Sequence, residues 1–420
     1  MHSSAVPLER DKRARDPVIG YRPFTTGVSY WPQRTAMSMW RHFDPATIKE
    51  DMATIAELGC SCLRICLLWE DFQPRPRQCS VPVLDHLVKL MDFAGDRGLM
   101  VMPALFTGYA AALTWLPPWM LLASTAGETQ EVFSLGKVRS LKPKNPYEDT
   151  EVIEAQLYFL RELLDALSGH PALLAWDLGN EPCRWAEPPD EAAVSIWFQA
   201  VTATLRERTG SVPVTLGIGA RDLEANPRLS LLLPSRYLDY VSLHVYPYRL
   251  PWAAGPTDPL PLPFLASVAQ WLAKKPVLLQ EFGVPTAPVV RQDRVVEELP
   301  KHASLVDEED AARFAEKSLD LLRRSEVIGC FWGSYGDYHP TLWTRPPLDR
   351  NVPERFAGLV RHDGTPKAAA ALFKSPTASA ESGDLKASPE WLDVTEEEYL
   401  LDPATQLRRL YRRFRDYEVL

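Results

Sequence analysis

Eight short apolar runs recur along this chain, and a longer stretch with a different spacing follows each of them. The runs are FTTGVSYW, CLRICLLW, LMVMPALF, LLAWDLGNEP, VPVTLGIG, LDYVSLHVYPY, PVLLQEFG and VIGCFWGSY. Between them, ATIKEDMATIAELG sets Ile48, Met52, Ile55 and Leu58 on one helical face before a glycine stop. VPVLDHLVKLMDFAGDRG does the same with Leu84, Leu87, Val88 and Met91. EVIEAQLYFLRELLDALSG, AAVSIWFQAVTATLRERTG, PFLASVAQWLAKK and EEDAARFAEKSLDLLRRS extend the pattern, and TPKAAAALF reads as the last helix. Strands that alternate with helices demand a mostly parallel α/β sheet. Eight right-handed crossovers close such a sheet into a (β/α)8 TIM barrel. An open doubly wound sheet would place a glycine-rich phosphate turn after its first strand; here that position reads SYWPQR.

The 420 residues, 46% hydrophobic and 24% charged, accommodate one such barrel with additions at its loops and end. Residues 1–22 read as a polar N-terminal segment, and 23–374 as the barrel. Within the barrel, the long stretch from Thr107 to Tyr147 is rich in Trp, Pro and Gly and reads as an irregular insertion after strand three. Loops of that length in compact domains are usually functional. From Ser375 the composition turns small and polar (SPTASAESGDLKAS), which marks a linker. Residues 375–420 therefore read as linker plus helical tail. The tail carries Leu407, Leu410, Tyr411 and Phe414 on one face, and packing back on the barrel is favoured over a partner helix.

A formal net charge of −9 and the lack of a long Lys/Arg block speak against nucleic acid and anionic membrane surfaces as partners. The first residues, MHSSAVPLERDKRARDP, contain no apolar h-region, so a cytoplasmic protein is expected. Cys60, Cys62, Cys66, Cys79, Cys183 and Cys330 include no CxxC pair and no companion His pair. They read as small core residues in a reducing compartment, and neither a metal nor an organic cofactor is expected.

In a barrel of this kind the chemistry sits at the C-terminal ends of the strands. Strand one delivers Tyr30 and Trp31 there, strand two Arg64 on the inside with Trp69 and Glu70 at its end. Strand four delivers Asn180 and Glu181, strand six His244 and Tyr246, strand seven Glu281, and strand eight Trp332 with Tyr335 and Asp337 beyond. Period-two alternation groups Ser242 with His244 and Tyr246, and Val277 with Leu279 and Glu281. Singly, each of these is an ordinary core histidine or solvated carboxylate. Together they bring two glutamates to one mouth, each at the end of an apolar run. Burial raises a carboxyl pKa and a neighbouring Arg lowers one. A neutral acid beside an ionised carboxylate is the equipment for cleaving a glycosidic bond.

LGNEP, HVYPY, LLQEFG and FWGSY, in that order, resemble the retaining (β/α)8 glycoside hydrolases of the clan that contains family 5, the cellulases and mannanases. The resemblance spans roughly Phe24 to Phe373. It implies Glu181 as acid/base and Glu281 as the nucleophile that forms a covalent glycosyl-enzyme. It further implies that Asn180 binds the hydroxyl beside the reacting carbon and that Arg64 and Tyr246 donate to Glu281. His244 would line the site, and Trp332 would form the floor under the sugar. Trp31 and Trp69, delivered at the ends of strands one and two, are further candidate binding residues. One departure stands out: many members carry a histidine after strand three, where this chain reads PALFTG, so Thr107 or an insertion residue would substitute. The stretch PTLWTRPPLDRNVPERFAGLVRHDGTPKAAA is similar to a segment of bacterial proteins grouped with endo-mannanases, which makes a β-mannoside the first substrate expectation. The alternatives are β-glucosidase, β-galactosidase or endo-glucanase activity in the same clan, and a carbohydrate-binding barrel without catalysis.

Overall fold

The computed structural model describes residues 24–123, 127–229, 231–288, 304–374 and 390–418. The polar N-terminal segment and the linker after Ser375 lie outside the described residues. Eight parallel strands form a closed barrel: β1 (Thr25–Ser29), β2 (Cys62–Leu68), β3 (Met100–Thr107), β4 (Trp176–Asn180), β5 (Val214–Gly219), β6 (Val241–Val245), β7 (Val277–Phe282) and β8 (Val327–Trp332). β1 pairs with both β2 and β8, so no edge is left open.

The outer layer consists of α1 (Pro45–Glu57), α2 (Val81–Gly95), α3 (Thr150–Leu167), α4 (Glu191–Thr209), the short α5 (Ala220–Ala225), α6 (Pro261–Ala273) and α7 (Glu308–Arg324). Their starts are written in the sequence. Asp44, Asp149 and Asp190 accept from the backbone N–H groups of Ala46, Val152 and Ala193 at 3.1, 3.2 and 2.8 Å, satisfying donors that the first helical turn cannot. The faces they bury include Ile48, Met52 and Ile55 of α1 and Leu87, Leu90 and Met91 of α2, none more than 1% exposed. Each such side chain contributes roughly 1.5–3 kcal/mol through burial. Inside the barrel sits a smaller cluster of Cys62, Met102, Ala175, Tyr240, Leu278 and Phe331.

Two elements differ from expectation. The run TPKAAAALF makes a 3-10 turn (Ala368–Phe373) against α7 instead of an eighth α-helix; its short alanines give it only Ala369, Ala370 and Phe373 to bury. The insertion after β3 is not irregular. It folds into a four-stranded sheet of Tyr109–Ala110, Leu113–Trp115, Gln130–Ser134 and Lys137–Leu141. Its last hairpin turns at Leu135-Gly136, both with positive φ (51° and 78°), the geometry of tight two-residue hairpins.

Two helices close the chain, α8 (Glu396–Leu401) and α9 (Pro403–Glu418). As expected, α9 packs back on the barrel, against α5 and α6. Leu407, Leu410, Tyr411 and Phe414 are all buried, and the rings of Tyr411 and Phe414 meet Phe264 of α6. All six cysteines are free, and all but Cys183 are buried. Among the described residues, no helix is long and apolar enough to cross a membrane.

Candidate active site

β6 and β7 run in register up to the pair Leu243 and Leu279, and the next pair is His244 with Glu281. Gln280 is the extra residue, a bulge, and the β7–β8 register slips at the same place. The bulge lets two consecutive side chains face the barrel interior. The expectation that Glu281 shares a face with Val277 and Leu279 is therefore corrected. Those two join the apolar layer under the helices, Leu278 fills the barrel, and Glu281 reaches the mouth only because the alternation breaks.

Once there, Glu281 accepts from Arg64 Nη1 at 2.6 Å and from Tyr246 Oη at 2.8 Å. Burial and the Glu281 charge push the Tyr246 phenol well above its usual pKa, so it stays protonated as a donor. Arg64 is fixed in turn by Asp177 on β4, through Nε at 2.8 Å and Nη2 at 2.7 Å. Asp177 Oδ1 also accepts from the backbone of Gly179 and Gly217, and Oδ2 accepts from Gln280 Nε2 at 3.0 Å. Asp177 and Gln280 have no exposed surface; they form a polar floor that orients the residues above.

Glu181 stands where β4 ends, in the left-handed backbone conformation (φ 44°, ψ 57°). A non-glycine residue held there costs on the order of 1–3 kcal/mol and persists only where its surroundings enforce it. Here the enforcing contacts are Pro182 behind it and its own N–H bonded to Gly217 O at 2.9 Å. The result carries the carboxylate over β5, and glycines make the room. A Cβ at Gly219 would lie 3.2 Å from that carboxylate, and one at Gly217 2.6 Å from Gln280 Oε1.

His244 joins the two glutamates. Its Nδ1 is 3.0 Å from Glu181 Oε1 and 3.7 Å from Glu281 Oε2, while Nε2 is 2.8 Å from Gln280 Oε1. With an acceptor at each nitrogen the ring fits as an imidazolium. Burial alone would lower its pKa; the Glu281 charge and the Glu181 hydrogen bond outweigh it and hold it above the usual value. For Glu181, burial alone would raise the pKa. The His244 hydrogen bond and charge, joined by Arg184 with Nε 2.9 Å from Oε2, hold it instead at about 2.

The remaining expected residues divide. Asn180 lies at the mouth, its Nδ2 donating to Tyr109 O at 2.9 Å, and its Oδ1 is buried without a hydrogen-bond partner. Trp31 lies two residues beyond the end of β1 and is buried in the main apolar cluster; among the described residues it makes no hydrogen bond or ring contact to the two glutamates or their partners. Trp332 is a correction. Phe331 points into the barrel, so Trp332 must point out, where it packs on Phe282, Phe314 and Phe373 and donates to Ala357 O at 2.8 Å. It cannot floor a sugar. Trp69 is also corrected: it has no exposed surface, packs on Phe106 and Trp119, and donates to Gln73 Oε1. Thr107 does not replace the family histidine, since its hydroxyl is turned back to Ala104 O at 2.9 Å. Tyr109, from the insertion, comes to the mouth instead, its ring 5.8 Å from the Arg184 guanidinium.

Sequence reading missed Asp177, Gln280 and Arg184. Asp177 shares strand parity with Ala175, which faces the barrel interior, so it was open to inference. Gln280 shares parity with Leu278, which fills the barrel, so it was open to inference too; Arg184 depends on the left-handed exit at Glu181, which leaves no pattern in the sequence. Among the described residues, no group of His, Cys, Asp and Glu is arranged to hold a metal ion.

No protein-family model matches the chain, and no curated protein matches it in sequence. Solved structures do match in fold. The chain has the fold of the (β/α)8 glycoside hydrolases of the family 5 clan, and the resemblance seen in LGNEP, HVYPY and LLQEFG extends to three dimensions. One neighbour is a GH5_18 protein from Streptomyces cattleya in complex with Manβ1-4GlcNAc: 22% identity, TM-score 0.69, covering 84% of this chain and 79% of that one. Another is the exo-β-1,4-mannosidase from Opitutaceae bacterium strain TAV5, with 25% identity and TM-score 0.67, covering 84% of this chain but only 58% of that one. A GH5_18 protein from Bifidobacterium longum subsp. longum, also with Manβ1-4GlcNAc, matches at 18% identity and TM-score 0.68, covering 84% of this chain and 77% of that one.

Proposed function

We propose that this chain is a retaining β-glycoside hydrolase that acts on a β-mannoside or a short β-linked oligosaccharide. The observation that carries the reading is the single imidazole nitrogen, 3.0 and 3.7 Å from oxygens of two glutamates on opposite walls of one mouth. That sharing favours the roughly 5–5.5 Å carboxyl separation of retaining enzymes over the roughly 6.5–9.5 Å of inverting ones.

In this mechanism Glu281, held and aimed by Arg64 and Tyr246, attacks the anomeric carbon. Glu181 protonates the leaving oxygen, then as a carboxylate draws the proton from the water that frees the glycosyl-enzyme. Asn180, with its open Oδ1, takes the sugar hydroxyl next to the reacting carbon, a contact that strengthens in the transition state. The polar floor of Asp177 and Gln280 holds this set rigid.

The mannoside preference draws support from the neighbours, two of them complexes with Manβ1-4GlcNAc and one an exo-β-1,4-mannosidase. Exo action draws support from the loops. The insertion sheet meets the segment after β8 through Asn351 Nδ2 on Ala111 O at 3.2 Å and through Arg350 with Glu131 at 2.8 Å, contacts that favour a cleft walled on one side. Two experiments test the reading. A 2-deoxy-2-fluoro mannoside should label the peptide containing Glu281, and NMR of the first product should show the β-anomer. Release of the α-anomer first would refute retention, and cuts in the middle of a β-mannan oligosaccharide ladder from the first minutes would refute exo action.

A further inference from the structure

A general acid must offer one carboxyl oxygen, carrying a proton, to the leaving group. Glu181 offers neither. Oε1 faces His244 Nδ1 at 3.0 Å and Oε2 accepts from Arg184 Nε at 2.9 Å. The two partners differ in how firmly they are held. His244 is 2% exposed, lies on β6 and is fastened at its far nitrogen by Gln280. Arg184 ends a single 3-10 turn (Pro182–Arg184), its side chain is 29% exposed, and it rests beside the Tyr109 ring.

We propose that Arg184 is a displaceable latch: it occupies Glu181 Oε2 in the empty site and leaves that oxygen when the leaving-group sugar arrives, so that Glu181 gains its proton together with the substrate. The inference rests on the acid/base role given to Glu181 above. The surroundings favour the exchange. Besides His244 and Arg184, the charged and titratable groups facing Glu181 are Asp222 of α5, Cys183 of the same turn, Tyr109 of the insertion, Arg249 after β6 and Glu281 across His244. Burial, with Glu181 adding to it, pushes the Asp222 carboxyl up to about 6. Without Arg184, His244 alone offsets the burial of the carboxylate and the neighbouring Asp222, and Glu181 takes a proton from solvent more readily. That proton then passes to the glycosidic oxygen as the bond to the anomeric carbon breaks, and the bonding pair stays on that oxygen. Arg184 is thus a positioning residue, whose charge sets when Glu181 is an acid.

The test compares wild type, Arg184→Ala and Arg184→Lys. Carboxyl ¹³C NMR of the free protein, with the Glu181 signal assigned by its loss in Glu181→Gln, should titrate well below the ordinary glutamate range in wild type. It should rise by about one unit or more in Arg184→Ala, because an adjacent cation is removed, and return in Arg184→Lys. On a β-mannoside with a poor leaving group, the alkaline limb of kcat/KM, which reports the free enzyme, should lie below that of kcat, which reports the complex. Arg184→Ala should close the gap. A Glu181 titration unchanged by Arg184→Ala, or a gap that survives it, overturns the latch. If no β-glycoside is turned over at any pH, the functional reading fails, and the free-protein titration still decides whether Arg184 holds Glu181.

Discussion

Two buried charged clusters lie near the C-terminal end of this barrel, and they are satisfied to different degrees. Behind β8, Lys367 Nζ donates to Asp337 Oδ1 at 2.6 Å, Thr286 Oγ1 at 2.8 Å and Phe356 O at 3.0 Å, which uses all three of its protons. Asp337 also accepts from Gly358 N. At the mouth, Asp177, Arg64 and Gln280 are tied to one another by hydrogen bonds and an ion pair, although Arg64 Nη2 makes no hydrogen bond of its own, and the layer above is less complete still. Asn180 Oδ1 has no partner, Glu181 sits on a strained backbone, and the second glutamate shares its imidazole. A cluster that completes its own hydrogen bonds holds loops together. One that stops short is prepared for a ligand. Asp337, which the sequence places in the strand-eight set, belongs to the first kind.

Substitutions can break that contrast. The largest effect is expected from Glu281→Gln, which should cut kcat by at least about 10⁴-fold, as losing a nucleophile does, on every substrate the wild type accepts. A residual rate within tenfold would move the nucleophile elsewhere. Lys367→Met should act on stability alone. Removing one partner of a buried pair costs about 3–5 kcal/mol, read as a lower urea midpoint at unchanged slope, while kcat per folded molecule stays at the wild-type value.

Glu181→Ala sharpens the comparison within the mouth. It should slow β-mannosides with poor leaving groups by about 10²–10⁴-fold and activated aryl mannosides far less, because acid assistance matters most where the leaving group is poor. Equal losses would contradict the role. The smallest effect is expected from Asn180→Ala, about 2–10-fold in kcat/KM, the worth of one neutral hydrogen bond of roughly 0.5–1.5 kcal/mol. It should fall mainly on kcat if the contact tightens in the transition state, and a pure KM effect would make Asn180 a ground-state binder.

The pattern in the chain was enough for the barrel. Period-two runs alternating with period-3.6 runs admit few topologies, and caps such as Asp44, Asp149 and Asp190 mark helix starts locally. The same regularity placed Arg64, His244 and Tyr246, because β2 and β6 keep their alternation through those positions. It misled where alternation breaks or ends. Trp332 was assigned to the cleft although its neighbour Phe331 already takes the inward place, and Trp69 follows the end of β2 into an outer aromatic layer. The insertion looked irregular because its strands are short and turn on left-handed residues such as Ala111 and Ala112 (φ 50° and 64°), which no turn motif announces.

By itself, then, the sequence determined which strands exist, their order around the barrel, and that two glutamates end at the same rim, since local periodicity and chain connectivity decide those things. Only the tertiary structure decided how the glutamates face each other. The bulge at Gln280, the left-handed turn at Glu181 and the pairing of Arg184 with that carboxylate come from contacts between strands. Their energies depend on partners distant in the chain, and no short window of residues contains them.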